Sequence, residues 1–415
     1  MLKDLSIWQR LGLIAITPSI TITLLIVLGV SEQAKVIAAE RQAERGATYA
    51  LALKRVFGDL QEHRGLTAAV LGGEAALKER LQQKRTEVEA GLQALGALDQ
   101  QAGALLESGD RVRALAAGWA RLKAELPALG ARDAVARHTA LIGEVLGSLD
   151  LVAHNAGLNR VGDAASWNLA DAVVGKLPRL AERLGQLRAL APTLVAAVSQ
   201  PPPAALPAPA PGPAAPLPGL PLADRLQLGT LHAEAGAALA EVRDALGYAG
   251  RASPKLTAQL GTPLDELANE TLRLLELVDA RVLKPDRPEV GSAALYEQGT
   301  RASTAALKVL DGAASSLEAS LGQLRARKEA ERILWIAIFI ITSLVGQASL
   351  FLIARSITRP LQELSAAAEK ISLGDLDAKI DLTRKDEIGA LGEQFARMQA
   401  SLRVIMSRLE SGPKS

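Results

Sequence analysis

The chain has no cysteine, which excludes disulfide staples, thiolate chemistry and cysteine-ligated zinc. Aromatic residues are only 3% of it. Runs rich in Val, Ile, Thr and Tyr occur only in two long apolar segments, so little of the sequence has strand character. Neither sign of charge is in excess: 47 Lys and Arg face 45 Asp and Glu, for a net charge of +2. No basic patch is interleaved with aromatics, so nothing points to nucleic acid. The four histidines, His63, His138, His154 and His232, are scattered without metal-ligand spacing, and no metal site is expected. No phosphate-binding loop and no nucleophile–base arrangement is present, so neither an enzyme nor a bound cofactor is expected.

What is abundant is Ala and Leu, with many Glu, Gln, Arg and Lys, all good helix formers. The expected class is all-α. At 415 residues the chain is too long for one ordinary core.

Two runs carry no charge: Leu11 to Val30 and Ile333 to Ile353. Each is about 20 residues, enough at 1.5 Å per residue to cross about 30 Å of hydrocarbon. Transmembrane helices are expected at 11–30 and 333–353, with Trp8 and Trp335 at their edges as interface anchors. A cleaved signal peptide fits the first run less well, because the stretch is long and no small-x-small site follows. Lys3 and Arg10 precede the first span, and Arg355 and Arg359 follow the second, which places both termini in the cytoplasm. Arg325, Arg327, Lys328 and Arg332 oppose this, although Glu329 and Glu331 dilute them and long translocated loops largely escape the charge rule.

Six further divisions follow: a cytoplasmic N-terminus at 1–10, a first sensor half at 31–199, a linker at 200–221, a second sensor half at 222–332, a relay at 354–406 and a tail at 407–415, besides the two spans. The linker, QPPPAALPAPAPGPAAPLPGLP, is uncharged and proline-rich, hence extended and unable to build a core. It reads as an insertion at a helix–helix turn rather than as a ligand for proline-recognition modules. The sensor halves carry helical periodicity over 74–98, 111–126, 134–158, 224–247, 254–284 and 293–332, which predicts elongated up-down bundles. The last of these segments runs straight into the second span.

The relay has two heptad seams. One runs through Ile357, Leu361, Leu364, Ala368 and Ile371, the other through Ile388, Leu391, Phe395, Met398, Leu402 and Ile405. A polar connector, LGDLDAKIDLTRKDE, separates them. Two short amphipathic helices on one chain cannot bury their seams, so a homodimer is expected. Pro360 near the start of the first helix, Gly374 in the connector, and the Asp386-Glu387-Ile388-Gly389 run opening the second helix give this piece a clear likeness. It resembles a HAMP domain, the relay of chemoreceptors and sensor kinases. The resemblance implies a cytoplasmic parallel four-helix coiled coil, with Pro360, Gly374, Glu387, Leu364 and Leu391 serving signal relay.

In the sensor, Leu53, Phe57, Leu60, Arg64 and Leu71 share one stripe, and Val173, Leu177, Leu180, Leu184 and Leu187 share another. A guanidinium on an apolar stripe needs a partner. Its fork suits a planar oxyanion or a carboxylate, and an interhelical salt bridge is the competing reading. Around it stands Leu60-Gln61-Glu62-His63-Arg64-Gly65-Leu66-Thr67, followed by Leu71-Gly72-Gly73, with Lys84 and Arg85 downstream. This stretch resembles the helical nitrate- and nitrite-sensing domain called NIT, with His63 in place of the usual acid and Thr67 in place of Ser. The resemblance implies that Arg64, with Gln61, His63 and Thr67 beside it, holds a small anion. Ser166-Trp167-Asn168-Leu169-Ala170-Asp171, ending in Leu177-Pro178, is similar to a segment of proteobacterial chemoreceptor sensors. Arg160 reads as a carbonyl cap near a helix end, and Lys176, Arg179, Arg183 and Arg188 as the solvated flank of one helix.

The expected whole is an inner-membrane receptor, two-span and homodimeric, which passes a ligand-dependent signal through its relay in chemotaxis. The residues after Met406 are too few for a kinase, a cyclase or a methylated hairpin, so the expectation is either a missing output module or signalling through a cytoplasmic partner. The alternatives are the sensory half of a histidine kinase or cyclic-dinucleotide enzyme, which further coding sequence would reveal, and a membrane scaffold that binds a protein partner, which a large apolar patch without a polar pocket would reveal.

Overall fold

The computed structural model describes residues 7–160, 162–199, 219–380 and 385–410. Ten α-helices make up most of it, and no strand occurs among the described residues: α1 Ile7–Leu71, α2 Lys78–Leu106, α3 Gly109–Glu125, α4 Ala131–Asn155, α5 Ala164–Asp171, α6 Leu177–Ser199, α7 Leu222–Ala252, α8 Pro254–Val278, α9 Ser292–Ser372 and α10 Glu387–Glu410. A π-helical turn, Ala172–Lys176, joins α5 to α6, and another, Asp279–Leu283, ends α8. The proline-rich stretch, up to Pro218, lies outside the described residues.

The chain forms two compact units. One comprises Val36–Lys328, the other Met1–Lys35 with Glu329–Ser415.

In the first unit the main core extends from Ala43 to Leu321 and takes in both sides of the proline-rich stretch, with a small second cluster at Ala68, Val135 and Ala189. Leu53, Val56, Phe57 and Leu60 of α1 are fully buried, as the spacing of three and four requires. Leu71 departs from the expected stripe: it is 44% exposed, because α1 ends there in a turn at Gly73 with nothing beyond to cover it. Helix α6 is buried around nearly its whole circumference, with Leu177, Leu180, Leu184, Leu187, Ala191 and Leu194 on one side and Glu182, Arg188 and Ala189 on others. It is therefore the central helix, and it packs on α4 and α7. Local signals set the boundaries. The Asp163 carboxylate accepts from Ser166 N at 2.9 Å and caps α5, and Pro254 occupies the first turn of α8, where its missing N–H costs nothing.

In the second unit, two helices are long and apolar enough to cross a membrane. Ile20, Leu25, Leu334, Ile341 and Leu352 are all more than half exposed, so nothing among the described residues covers them. Pro360 sits inside the continuous α9 rather than at the start of a separate helix. Gly374 ends α9 with φ +97°, a conformation that a side chain would strain. Leu364 and Ile371 are buried, whereas Leu391 and Met398 of α10 are 41% and 44% exposed.

Candidate functional site

The first unit places a charged cluster where the central helix α6 meets α1 and α4. Arg64 is completely buried. Its Nη1 donates to Glu182 Oε1 at 2.6 Å and to Thr139 Oγ1 at 2.9 Å, and its Nη2 donates to Glu182 Oε2 at 3.1 Å. The interhelical salt bridge foreseen as one reading of Arg64 thus exists, with Glu182 as the fork's partner. Gln61 Nε2 and Gln186 Nε2 donate to the same carboxylate at 2.8 and 2.7 Å. Gly185 makes room for this: a Cβ there would sit 2.6 Å from Arg64 Nη2.

Arg188 corrects the sequence reading. Far from lying on a solvated flank, it is 94% buried, since 6% of it is exposed. Nine residues at 100° per residue put Arg188 half a turn from Arg179, so the two cannot share a flank. Its Nη2 donates to the Gln61 carbonyl at 2.7 Å, and its guanidinium lies over Gly65, where a Cβ would be 3.2 Å from Nη2. Burial holds its pKa below the ordinary arginine value, and neighbouring Arg64 adds to this. The Nε atoms of both Arg64 and Arg188, and Gln61 Oε1, have no hydrogen-bond partner among the described residues.

A histidine pair completes the cluster, correcting the expectation that the histidines stand apart. His63 Nδ1 lies 2.7 Å from His138 Nε2, and both rings are buried. The Ala134 carbonyl, 2.6 Å from His138 Nδ1, can only accept, so His138 carries its proton on Nδ1 and presents Nε2 as an acceptor to a His63 Nδ1–H. Thr67 Oγ1 donates to the His63 carbonyl at 2.7 Å, and Trp119 packs edge-on against the His63 ring at 5.0 Å. Burial, then the neighbouring ring, pulls His63 down to about 3, and burial pulls His138 down to about 4. Both are neutral at pH 7. Two imidazoles do not make a metal centre, and among the described residues no group of three or more metal-ligating side chains occurs.

The charge count follows. Two guanidinium groups, one carboxylate and two neutral imidazoles leave this buried cluster one positive charge in excess. Glu62, on the adjoining face, is already engaged by Arg80 at 2.6 Å and Lys84 at 2.9 Å. All four residues proposed from the sequence, Gln61, His63, Arg64 and Thr67, are buried here. Sequence reasoning missed Glu182, Arg188, His138 and Thr139. Arg160, by contrast, lies in a short 3-10 turn.

Pro360, Leu364, Gly374, Glu387 and Leu391 all belong to the second unit. Asp386 Oδ1 accepts from Gly389 N at 3.0 Å and caps α10, with Glu387 in its first turn, where the helix dipole favours an acid. Gln399 Nε2 donates to the Leu376 and Ala378 carbonyls at 2.8 Å each, and Arg403 holds Asp377 at 2.6 Å. These two side chains, which the sequence reading passed over, tie the connector to α10.

Residues 352–404 match the HAMP domain family. The matched stretch contains Pro360, Leu364, Gly374, Glu387 and Leu391. The methyl-accepting chemotaxis protein McpS of Pseudomonas putida is 46% identical over 69 residues, which is 17% of this chain and 11% of that protein. The methyl-accepting chemotaxis protein TlpA of Bacillus subtilis is 42% identical over 76 residues, 18% of this chain and 12% of that protein. McpQ of Pseudomonas putida, also a methyl-accepting chemotaxis protein, is 31% identical over 120 residues, 28% of this chain and 17% of that protein. The chain therefore spans only a small part of the length of the curated relatives it matches, and is chemoreceptor-like in that part. Among solved structures, the NasR transcription antiterminator matches with a TM-score of 0.54 at 14% identity, over 92% of this chain and 99% of that one. At that identity the likeness is one of fold.

Proposed function

We propose that the chain is the sensing and relay portion of a homodimeric inner-membrane chemoreceptor, with residues 31–332 outside the cytoplasm and both termini inside. Its ligand is a small monovalent oxyanion, nitrate or nitrite first, held at Arg64 and Arg188, with Gln61, His63 and Thr67 in the surrounding shell. The observation that carries the reading is the buried cluster with one uncompensated positive charge and two guanidinium Nε–H donors lacking acceptors. A buried cation without a counter-charge is costly, and a planar anion with several acceptor oxygens relieves that cost. The uncovered apolar runs in α1 and α9 support membrane insertion. The half-exposed seam of α10 supports a second copy in the relay.

Ligand shifts the receptor only by its different affinity for two packings. The response then travels along α9, which carries sensor contacts, apolar run and first relay seam on one unbroken helix. Calorimetric titration of nitrate and nitrite into the full chain in detergent tests the site. Heat that disappears in Arg64→Ala and returns only partly in Arg64→Lys supports it, because Lys keeps the charge but cannot hold the Glu182 fork and offer a separate Nε–H to the anion at once. Absence of heat with nitrate, nitrite and small carboxylates in the wild type overturns it.

A further inference from the structure

A cavity of about 450 Å³ stands over Arg188. Its wall is apolar and small, with Ala69 of α1 and Ala189, Pro192 and Ala196 of α6. Its polar side chains are the buried Arg188, half-buried Tyr296 and Ser292 of α9, an exposed Glu74, and Thr193, whose hydroxyl is turned back to the Ala189 carbonyl at 2.8 Å. A four-atom inorganic ion is comparable in size to one or two waters, and a water occupies about 30 Å³. The space is thus several times larger than nitrate requires and lies within the range of small-molecule sites, about 300–1,000 Å³. It is also the wrong chemistry for an inorganic ion alone, which would leave the alanine wall unused.

We propose that this cavity takes an organic monocarboxylate, with the carboxylate read by Arg188 and an apolar body of several carbons packed against Ala69, Ala189, Pro192 and Ala196. Three observations meet here. Arg188 is 94% buried, its Nε is unpartnered, and it lines the cavity. The cluster behind it has one excess positive charge, which selects one carboxylate rather than two. On the α6 and α1 side, Ala69, Ala189, Pro192 and Ala196 present methyl and methylene groups to whatever follows the carboxylate. The inference rests on the proposed anion site and enlarges its ligand class from inorganic oxyanions to carboxylates with a tail.

The test is a titration series on the full chain in nanodiscs: nitrate, acetate, butyrate and hexanoate, with hexanamide as the uncharged control for partition into lipid. Each methylene buried in the cavity should tighten binding about fourfold. Hexanoate should therefore bind at least tenfold tighter than acetate, and hexanamide should not bind specifically. Ala196→Phe, which fills the cavity, should abolish the gain from chain length and leave nitrate or acetate binding intact. Ala69→Leu, on the opposite wall, gives the same readout if the first variant fails to fold. Arg188→Gln should lose every carboxylate. Equal affinity along the series, or hexanoate binding unchanged in both cavity-filling variants, overturns the inference. The two readings separate cleanly. Nitrate binding without chain-length dependence removes this inference alone, hexanoate binding without nitrate binding removes the inorganic ligand alone, and silence with every anion removes both.

Discussion

If Arg188 is the unbalanced charge and Arg64 the balanced one, removing each should have opposite consequences for stability. Arg64→Met breaks the fork on Glu182, a carboxylate 5% exposed, and leaves it buried with only amides and a more distant cation. Breaking a buried pair costs about 3–5 kcal/mol. Arg188→Met removes a cation that, among the described residues, donates a hydrogen bond to the Gln61 carbonyl, worth about 1 kcal/mol, and removes a desolvation cost of at least that size. The unit that must unfold comprises Val36–Lys328. With an unfolding entropy of about 2 cal/mol/K per residue, 1 kcal/mol shifts its Tm by about 1.6 °C. In anion-free buffer, Arg64→Met should therefore melt about 5–8 °C below wild type, and Arg188→Met within about 2 °C of it. Adding nitrate to a hundred times its Kd should raise the wild-type Tm by about 4 °C, the equivalent of about 2.7 kcal/mol, and move neither variant. Differential scanning fluorimetry of the full chain in detergent reads all six values. Equal losses in the two variants without anion would refute the charge count, because Arg188 would then have a counter-charge of its own.

Acidification should destabilise the sensor well above the carboxylate range. His63 and His138 are held at about 3 and about 4, against an ordinary value of 6.5. Their contribution is complete above pH 6.5 and is lost as pH falls, because the unfolded chain takes up protons that the folded pair refuses, at about 1 kcal/mol for each between pH 6.5 and 5.5. Tm profiles over that interval should flatten in His63→Phe/His138→Met, and an equally steep mutant profile would exclude the pair as the source. Gly299→Ala should cost about 1–3 kcal/mol, since the new Cβ would lie 2.9 Å from the Arg188 Cα and α6 and α9 would have to separate; a neutral Tm would contradict that close approach. Single cysteines at Leu364, Ile371, Leu391 and Met398 should cross-link between copies while one at Lys370 does not, as gel mobility under oxidising conditions will report. Protease added to spheroplasts should cut within residues 31–332 and spare the relay, and the reverse pattern would invert the topology.

The sequence made the helices legible because their seams repeat locally. Leu53, Phe57 and Leu60 announce α1 within a few turns, and Gly374 and Asp386 punctuate the relay where a positive φ and a cap are needed. The site was legible only in its local half. Gln61, His63, Arg64 and Thr67 sit on consecutive turns of one helix, whereas Glu182 and His138 reach them from positions 118 and 75 residues away. Periodicity has no term for such separations. Arg188 is different, because its burial was available from the helical wheel. Spacings of four and then five residues from Arg179 and Arg183 look like one flank when counted roughly, but five residues advance the wheel by 140° beyond a full turn.

The alanine wall has a consequence for how such a receptor changes over generations. Ala69 and Ala196 are only partly buried and stand on helices whose course is fixed by the leucine core beneath them, so enlarging either methyl group alters the cavity with little disturbance of the scaffold, whereas Ala189 is packed against Ala68 and Val135. Ala69 and Ala196 each work as an independent stop that shortens or narrows the space available to a tail, while Arg188 stays in place. Closely related genes can in this way acquire different menus by substituting single small residues, with the charged end, the long helix α9 and the relay inherited unchanged.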